Sequence, residues 1–279
     1  MRPVAEFRPA GPLRVLYADL DGTLTGPGGS LYAAIPSGWT PRGAEAVARL
    51  HAAGVELVLV SGRTRPQARE AARMLGARSY VAELGSFVVD GDEVVTTFGD
   101  GFGGGTPFEA ITRSGAGSFL LERYAGRLEP HTPWSAEPRE ATLLVRGLVD
   151  PAEASGALAG AGYDWLEVRD NGVIRRRYEA LDVPEVHAYH VVPRGVGKRS
   201  AIALHRERRG LPPEETAAVG DSPSDLEAAL VVGAVFIVAN GAEATAASGI
   251  DAPNAFLTPG SGGDGVADAV AALLAEPDA

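Results

Sequence analysis

The chain has 279 residues, enough to bury one large core or two modest ones, and its 45% hydrophobic and 22% charged content is that of an ordinary globular protein. A net charge of −11 argues against a nucleic-acid surface or a polybasic membrane face, and the absence of cysteine removes disulfides, thiolate catalysis and Cys-ligated metals. The start, MRPVAEFRPAGPL, has no apolar h-region, and no apolar run approaches the roughly 18 residues of a membrane span, so a soluble cytoplasmic chain is expected.

RVLYADLDG (14–22) is a short apolar run that stops at a polar turn, as buried parallel strands do. PRGAEAVARLHAA (41–53) then reads as a helix, with Thr40 as N-cap and Pro41 at its first position. VELVLVSGR (55–63) is a second strand and PQAREAARML (66–75) a second helix that ends before Gly76. FVVDGDEVVTTF (87–98) predicts a hairpin about Asp90-Gly91, GDGFGGGTPF (99–108) a glycine-rich loop, and LEVRDNGVIRR (166–176) a further hairpin about Asn171-Gly172. Residues 198–208 and 224–230 read as helices, TAAVGDS (216–222) and AVFIVANG (234–241) as strands. Strand–helix alternation of this kind predicts an α/β fold with a doubly wound parallel sheet. The mixed middle implies an inserted α+β unit at 99–190 within a core formed by 1–98 and 191–279.

In DLDGT (19–23), Asp19 and Asp21 lie two apart at a strand end, so both face one side, at the carboxyl edge where open α/β sheets bind ligands. Asp221 ends another strand in GDSPSD, while Asp225 also fits a capping box with Ser222. Three such carboxylates on one edge make a hard oxygen site suited to Mg²⁺. Ser61 and the amides after it, beginning with Gly62, offer a phosphate-binding turn in VSGRT. Lys198 is the sole lysine among 25 cationic residues and stands near a helix N-terminus, where a cation opposes the helix dipole. That placement makes sense if an anion lies between its ammonium and the helix amides. His187 and His190, three apart on a predicted strand, face opposite sides and read as structural. Two nucleotide signatures fail. Gly99, Gly101 and Gly104 match a dinucleotide fingerprint without its βαβ context, and the P-loop-like stretch before Lys198 has Val192 for the first glycine and Arg199 for the Ser/Thr.

DLDGT, Ser61 in VSGRT, Lys198 and GDSPSD, in that order, resemble motifs I to IV of the haloacid dehalogenase (HAD) superfamily. The stretch between Ser61 and Lys198 is similar to the α/β cap of subfamily IIB, the group of Cof-type sugar phosphatases, sucrose-phosphate phosphatase, mannosyl-3-phosphoglycerate phosphatase and phosphomannomutase. The resemblance implies a Rossmann-like core with a cap, and a nucleophilic Asp19 that forms an aspartyl-phosphate. It makes Asp21 the general acid and base, and Ser61, Gly62 and Lys198 the grip on the phosphoryl group. Mg²⁺ would be held by Asp19, the main-chain carbonyl of Asp21 and Asp221, with Asp225 orienting the site. Arg63, together with Arg175 and Arg177, is a candidate for a carboxylate or second phosphate of the substrate.

The activity so implied is Mg²⁺-dependent hydrolysis of a small phosphorylated metabolite, a sugar phosphate or a glycosyl-phosphoglycerate, with no nucleic-acid or membrane partner. A phosphomutase-type phosphotransferase and a non-catalytic phosphometabolite sensor stay open. Three features depart from the family pattern: Leu84 in AELGS where many relatives have Asn-Gly, Ser224 where Asn commonly precedes the last Asp, and a long flap bearing Tyr32 and Trp39.

Overall fold

The computed structural model describes residues 1–9, 11–99, 102, 105–174 and 176–275. The strands in chain order are β1 (Arg2–Pro3), β2 (Val15–Asp19), β3 (Glu56–Val60), β4 (Ser79–Ala82), β5 (Phe87–Asp90), β6 (Glu93–Thr96), β7 (Leu128–Pro130), β8 (Leu143–Gly147), β9 (Leu166–Val173), β10 (His187–Pro193), β11 (Thr216–Gly220), β12 (Ala234–Ile237) and β13 (Ala255–Leu257). The helices are α1 (Arg42–Ala52), α2 (Arg65–Leu75), α3 (Pro107–Ser114), α4 (Ala116–Arg123), α5 (Pro151–Gly160), α6 (Lys198–Arg208), α7 (Pro223–Leu226), α8 (Ala242–Ala247) and α9 (Gly262–Leu273).

Nine strands form one sheet in the order β1-β13-β12-β11-β2-β3-β4-β5-β6, parallel from β1 to β4 and antiparallel across β4-β5-β6. Strands β2, β4, β11 and β12 are buried at every position, which is why their sequences are largely apolar runs rather than alternating ones. Side-chain alternation still sorts the two faces. Leu16, Ala18, Leu57 and Leu59 pack with Ala46 and Leu50 of α1, Ala68 of α2 and Val266 of α9. Val15, Tyr17, Val58 and Val60 meet Ala201 and Ile202 of α6 and Leu226 of α7 on the other face. Register pairs Asp19 with Val60 and Val219 with Ala18, so β2, β3 and β11 all end at one edge.

A second, four-stranded antiparallel sheet has the order β7-β8-β10-β9. Ile111, Leu120 and Leu158 from α3, α4 and α5 cover one of its faces, against Val145, Val168, Tyr189 and Val191. The opposite face, which carries Arg169 and its cross-strand partner His190, turns towards the larger sheet.

Some expectations need correction. The expected hairpin about Asn171-Gly172 is not formed: β9 continues through both residues, and the pairing with β10 shifts register between His187 and Tyr189. The Asp170 carboxylate takes the Gly172 N–H at 2.8 Å and His187 Nδ1 at 2.7 Å, which converts a turn signal into a pinned bulge. Strand β10 extends to Pro193, so the chain leaves the smaller sheet after that residue and not at 191. The expected helix at 224–230 is α7 followed by a 3₁₀ turn at Glu227–Leu230. The pairing of β1 with β13 was not anticipated. Among the described residues no helix is long and apolar enough to cross a membrane.

Candidate active site

Asp19 is the last residue of β2 and lies on the strand face that Tyr17 presents to α6. Lys198 opens α6 at 2% exposure, and its Nζ donates to Asp19 Oδ1 and to Asp225 Oδ1, each at 2.8 Å. The other oxygen of Asp225 accepts the main-chain N–H groups of Asp221 (3.3 Å) and Ser222 (3.1 Å) and the Ser222 hydroxyl. Asp225 thus caps α7, as its spacing from Ser222 suggested, and also holds the Lys198 ammonium, which the sequence did not indicate. Asp221 is held at Oδ1 by the Thr23 hydroxyl (3.3 Å) and at Oδ2 by Asn240 Nδ2 (3.0 Å). Gly22 stands against it with φ +90°, and a Cβ there would sit 2.3 Å from Asp221 Oδ2. Any side chain at position 22 would displace that carboxylate.

The carboxylates strain against burial. Asp19 is pushed up to about 7 by desolvation, which Lys198 opposes and Asp225 reinforces. Desolvation, with Asp19 and Asp225 close by, holds Asp221 well above the ordinary carboxylate range. Burial alone would lower the Lys198 ammonium, but Asp19 and Asp225 outweigh it and keep the lysine charged. One ammonium does not balance this set.

Carboxylate oxygens of Asp19, Asp221 and Asp225 lie within 4.8 Å of one another. Among the described residues, the main-chain carbonyl of Asp21 and Asp19 Oδ2 accept no hydrogen bond. An all-oxygen set with excess negative charge and free acceptors fits Mg²⁺. Asp225, already saturated by Lys198 and the loop amides, is the member least free to ligate.

The turn expected to hold phosphate follows β3. Ser61 is 1% exposed, and its Oγ accepts the Arg63 N–H at 3.2 Å. Main-chain bonds from Leu84 N to Ser61 O and from Glu83 N to Arg63 O brace the turn. The Arg63 guanidinium, expected at the substrate, instead grips both oxygens of Asp21, at 2.8 and 2.6 Å. Asp21 is half exposed and turned outward in this pairing, so acid–base work requires it to leave Arg63. Arg177 is exposed and makes no hydrogen bond or ion pair among the described residues, and Arg175, like Gly101 and Gly104, lies outside them. Tyr32 and Trp39 are both exposed on the flap.

Sequence reasoning missed residues from the smaller sheet. A Cβ at Gly62 would lie 2.6 Å from Asn171 Nδ2 and 2.8 Å from His190 Nε2, so both side chains reach over the phosphate turn. His190, read as structural, faces the site at 1% exposure, with Nδ1 3.2 Å from the Thr142 hydroxyl. Strand alternation correctly placed His187 and His190 on opposite faces. It gave no sign of which face meets the larger sheet. Asn240, in the turn that follows β12, carried a weak signal in its place after a strand end alone.

No protein-family model matches the chain. A phosphoglycolate phosphatase from Halorubrum lacusprofundi is 29% identical over 231 residues, covering 81% of this chain and 84% of that protein. The sucrose-phosphatase from Synechocystis, solved with sucrose and phosphate, superposes with a TM-score of 0.63 at 16% identity, covering 94% of this chain and 98% of that one. A phosphatase of the haloalkanoate (HAD) superfamily from Bacteroides thetaiotaomicron gives a TM-score of 0.62 at 17% identity over 96% and 98% of the two chains. At these identities the structural likeness is one of fold.

Proposed function

We propose that the chain, which resembles the haloacid dehalogenase superfamily and carries a cap like that of subfamily IIB, is a Mg²⁺-dependent phosphatase of small phosphorylated metabolites. The observation that carries this reading is the buried Lys198 ammonium shared between Asp19 and Asp225, with Asp221 alongside, at the carboxyl edge of the sheet. A dianionic phosphoryl group needs such a cation to approach a carboxylate nucleophile.

A carboxylate oxygen of Asp19 attacks phosphorus while Lys198 holds the carboxylate in place. The bond from phosphorus to the ester oxygen breaks, and Asp21, which takes up a proton from solvent once released from Arg63, gives it to the departing alkoxide. Water then attacks the aspartyl-phosphate, passing a proton to Asp21. Inorganic phosphate leaves and Asp19 is restored. The Ser61 hydroxyl and the Gly62 turn orient the phosphoryl oxygens. Asp19, Asp221 and the carbonyl of Asp21 would hold Mg²⁺, which when bound supplies positive charge beside those oxygens.

The substrate class spans sugar phosphates, glycosyl-phosphoglycerates and, given the names of the curated relatives, short phosphorylated acids such as phosphoglycolate. The test is phosphate release from a panel of these, with Mg²⁺, with EDTA, and with Asp19→Asn. Turnover that requires both the metal and Asp19 is expected. Silence across the panel, or turnover that appears only with a bisphosphorylated activator, would overturn it in favour of a sensor or a mutase.

A further inference from the structure

The hydrogen bonds around Thr142 fix what His190 offers to the site. Glu83 is fully buried, and its carboxylate accepts the main-chain N–H groups of Glu140 (2.9 Å), Ala141 (3.0 Å) and Thr142 (3.0 Å). The Thr142 hydroxyl, 3.1 Å from Glu83 Oε2, must point its one proton at that acceptor. Its lone pairs then face Arg139 Nη1 at 3.0 Å and His190 Nδ1 at 3.2 Å, so Nδ1 carries the hydrogen and donates. Burial first, then the charges of Arg139 and Lys198, keep the His190 ring neutral by holding its pKa well below the usual histidine value. Nε2 is therefore a bare lone pair, and it is the atom that lies over Gly62.

Beside it stands the Asn171 amide, whose side chain has no hydrogen-bond partner among the described residues. The Asp170 bonds to Gly172 and His187 hold the backbone that presents it. One acceptor and one donor thus converge on the phosphate turn, both unengaged. The group that satisfies both at once is a hydroxyl, which donates to His190 Nε2 and accepts from Asn171.

We infer that Asn171 and His190 form a hydroxyl-reading pair that selects phosphomonoesters with a hydroxyl close to the ester oxygen, as in polyol phosphates, sugar phosphates and hydroxy-acid phosphates. This rests on the phosphatase reading above and deepens it. A site built to hydrogen-bond a substrate hydroxyl discriminates strongly against the analogue lacking it, because its own polar groups are then left unpaired. Phosphoglycolate, which has no such hydroxyl, falls on the disfavoured side.

The experiment compares α-glycerol phosphate with propanediol monophosphate, which lacks only the hydroxyl on the carbon next to the ester-bearing one. In the native protein with Mg²⁺, kcat/KM should favour the hydroxylated ester by about tenfold or more. Asn171→Ala and His190→Phe should each collapse that ratio towards unity. Asn171 is only partly buried and unbonded, so its variant tests the pair even if the buried His190 variant fails to fold. Equal rates for the two esters in the native protein, or a preference that survives Asn171→Ala, would overturn the inference while leaving the phosphatase standing. Absence of Mg²⁺-dependent turnover of p-nitrophenyl phosphate by the native protein would sink the phosphatase reading and this inference with it.

Discussion

A chain that otherwise writes its positive charges as arginine keeps Lys198 where a single Nζ must reach two carboxylates 2.8 Å away in a space with 2% exposure. A guanidinium is planar and wider, and its fork prefers one carboxylate face-on. Lys198→Arg should therefore keep a positive charge yet separate Asp19 from Asp225, lowering kcat by about 100-fold or more. Phosphate release and circular dichroism on the same preparation check this, and near-native turnover would remove the steric explanation. The departure at Leu84 also has a residue-scale account. Glu83 and Leu84 adopt left-handed backbone, with φ of 46° and 57°, and Asn tolerates that conformation better than other non-glycine residues. Strain of about 1–2 kcal/mol at Leu84 is offset by burying its side chain, about 2 kcal/mol, at 1% exposure. The turn keeps its shape with a different residue.

At the scale of the element, β9 and β10 show where sequence reading reaches and where it stops. Asp19, Asp21, Ser61, Lys198, Asp221 and Asp225 were legible because each follows or caps a local strand–turn–helix unit whose apolar run announces its end. Asn171, His190, Thr142 and Glu83 were not, because only the packing of one sheet's face on another brings them together. Asn171-Gly172 looked like a hairpin turn since its dipeptide fits one, and the Asp170–His187 link decided otherwise. That link titrates. Burial would lower the His187 pKa, but the hydrogen bonds and charges of Asp170 and Glu185 raise it to about 9. A folded-state value above the unfolded value, about 6.5, means the link stabilises fully below that pH and loses its contribution as pH rises through about 9. The melting temperature of the native protein should thus exceed that of His187→Gln clearly near pH 6 and little near pH 10. A gap independent of pH would show that His187 packs rather than pairs.

Ties of different chemistry join the smaller sheet and its helices to the larger unit, and two of them should fail differently. At the root of β8, Glu83 takes three main-chain N–H groups and a hydroxyl, all buried except the half-buried Glu140 N–H. Arg65 adds a bidentate pair with Glu140 at 2.7 and 2.6 Å. Across the mouth of the site, Arg169 reaches Glu227 at 3.0 and 3.2 Å, with both side chains about a quarter exposed. Glu83→Ala leaves several buried N–H groups without an acceptor, at about 1–3 kcal/mol for each one that finds no water. It should lower the melting temperature steeply. Glu227→Ala breaks a partly solvated ion pair worth about 1 kcal/mol or less and should leave the melting temperature nearly unchanged. Because Arg169 also lies beside Gly197, just ahead of Lys198, its release should let the mouth open and loosen the lysine's approach. The expected signature of Glu227→Ala is a several-fold rise in KM and a larger radius of gyration by X-ray scattering. If Glu227→Ala instead melts early with KM unchanged, the contact serves the fold and closure must reside in the Glu83 and Arg65 side alone.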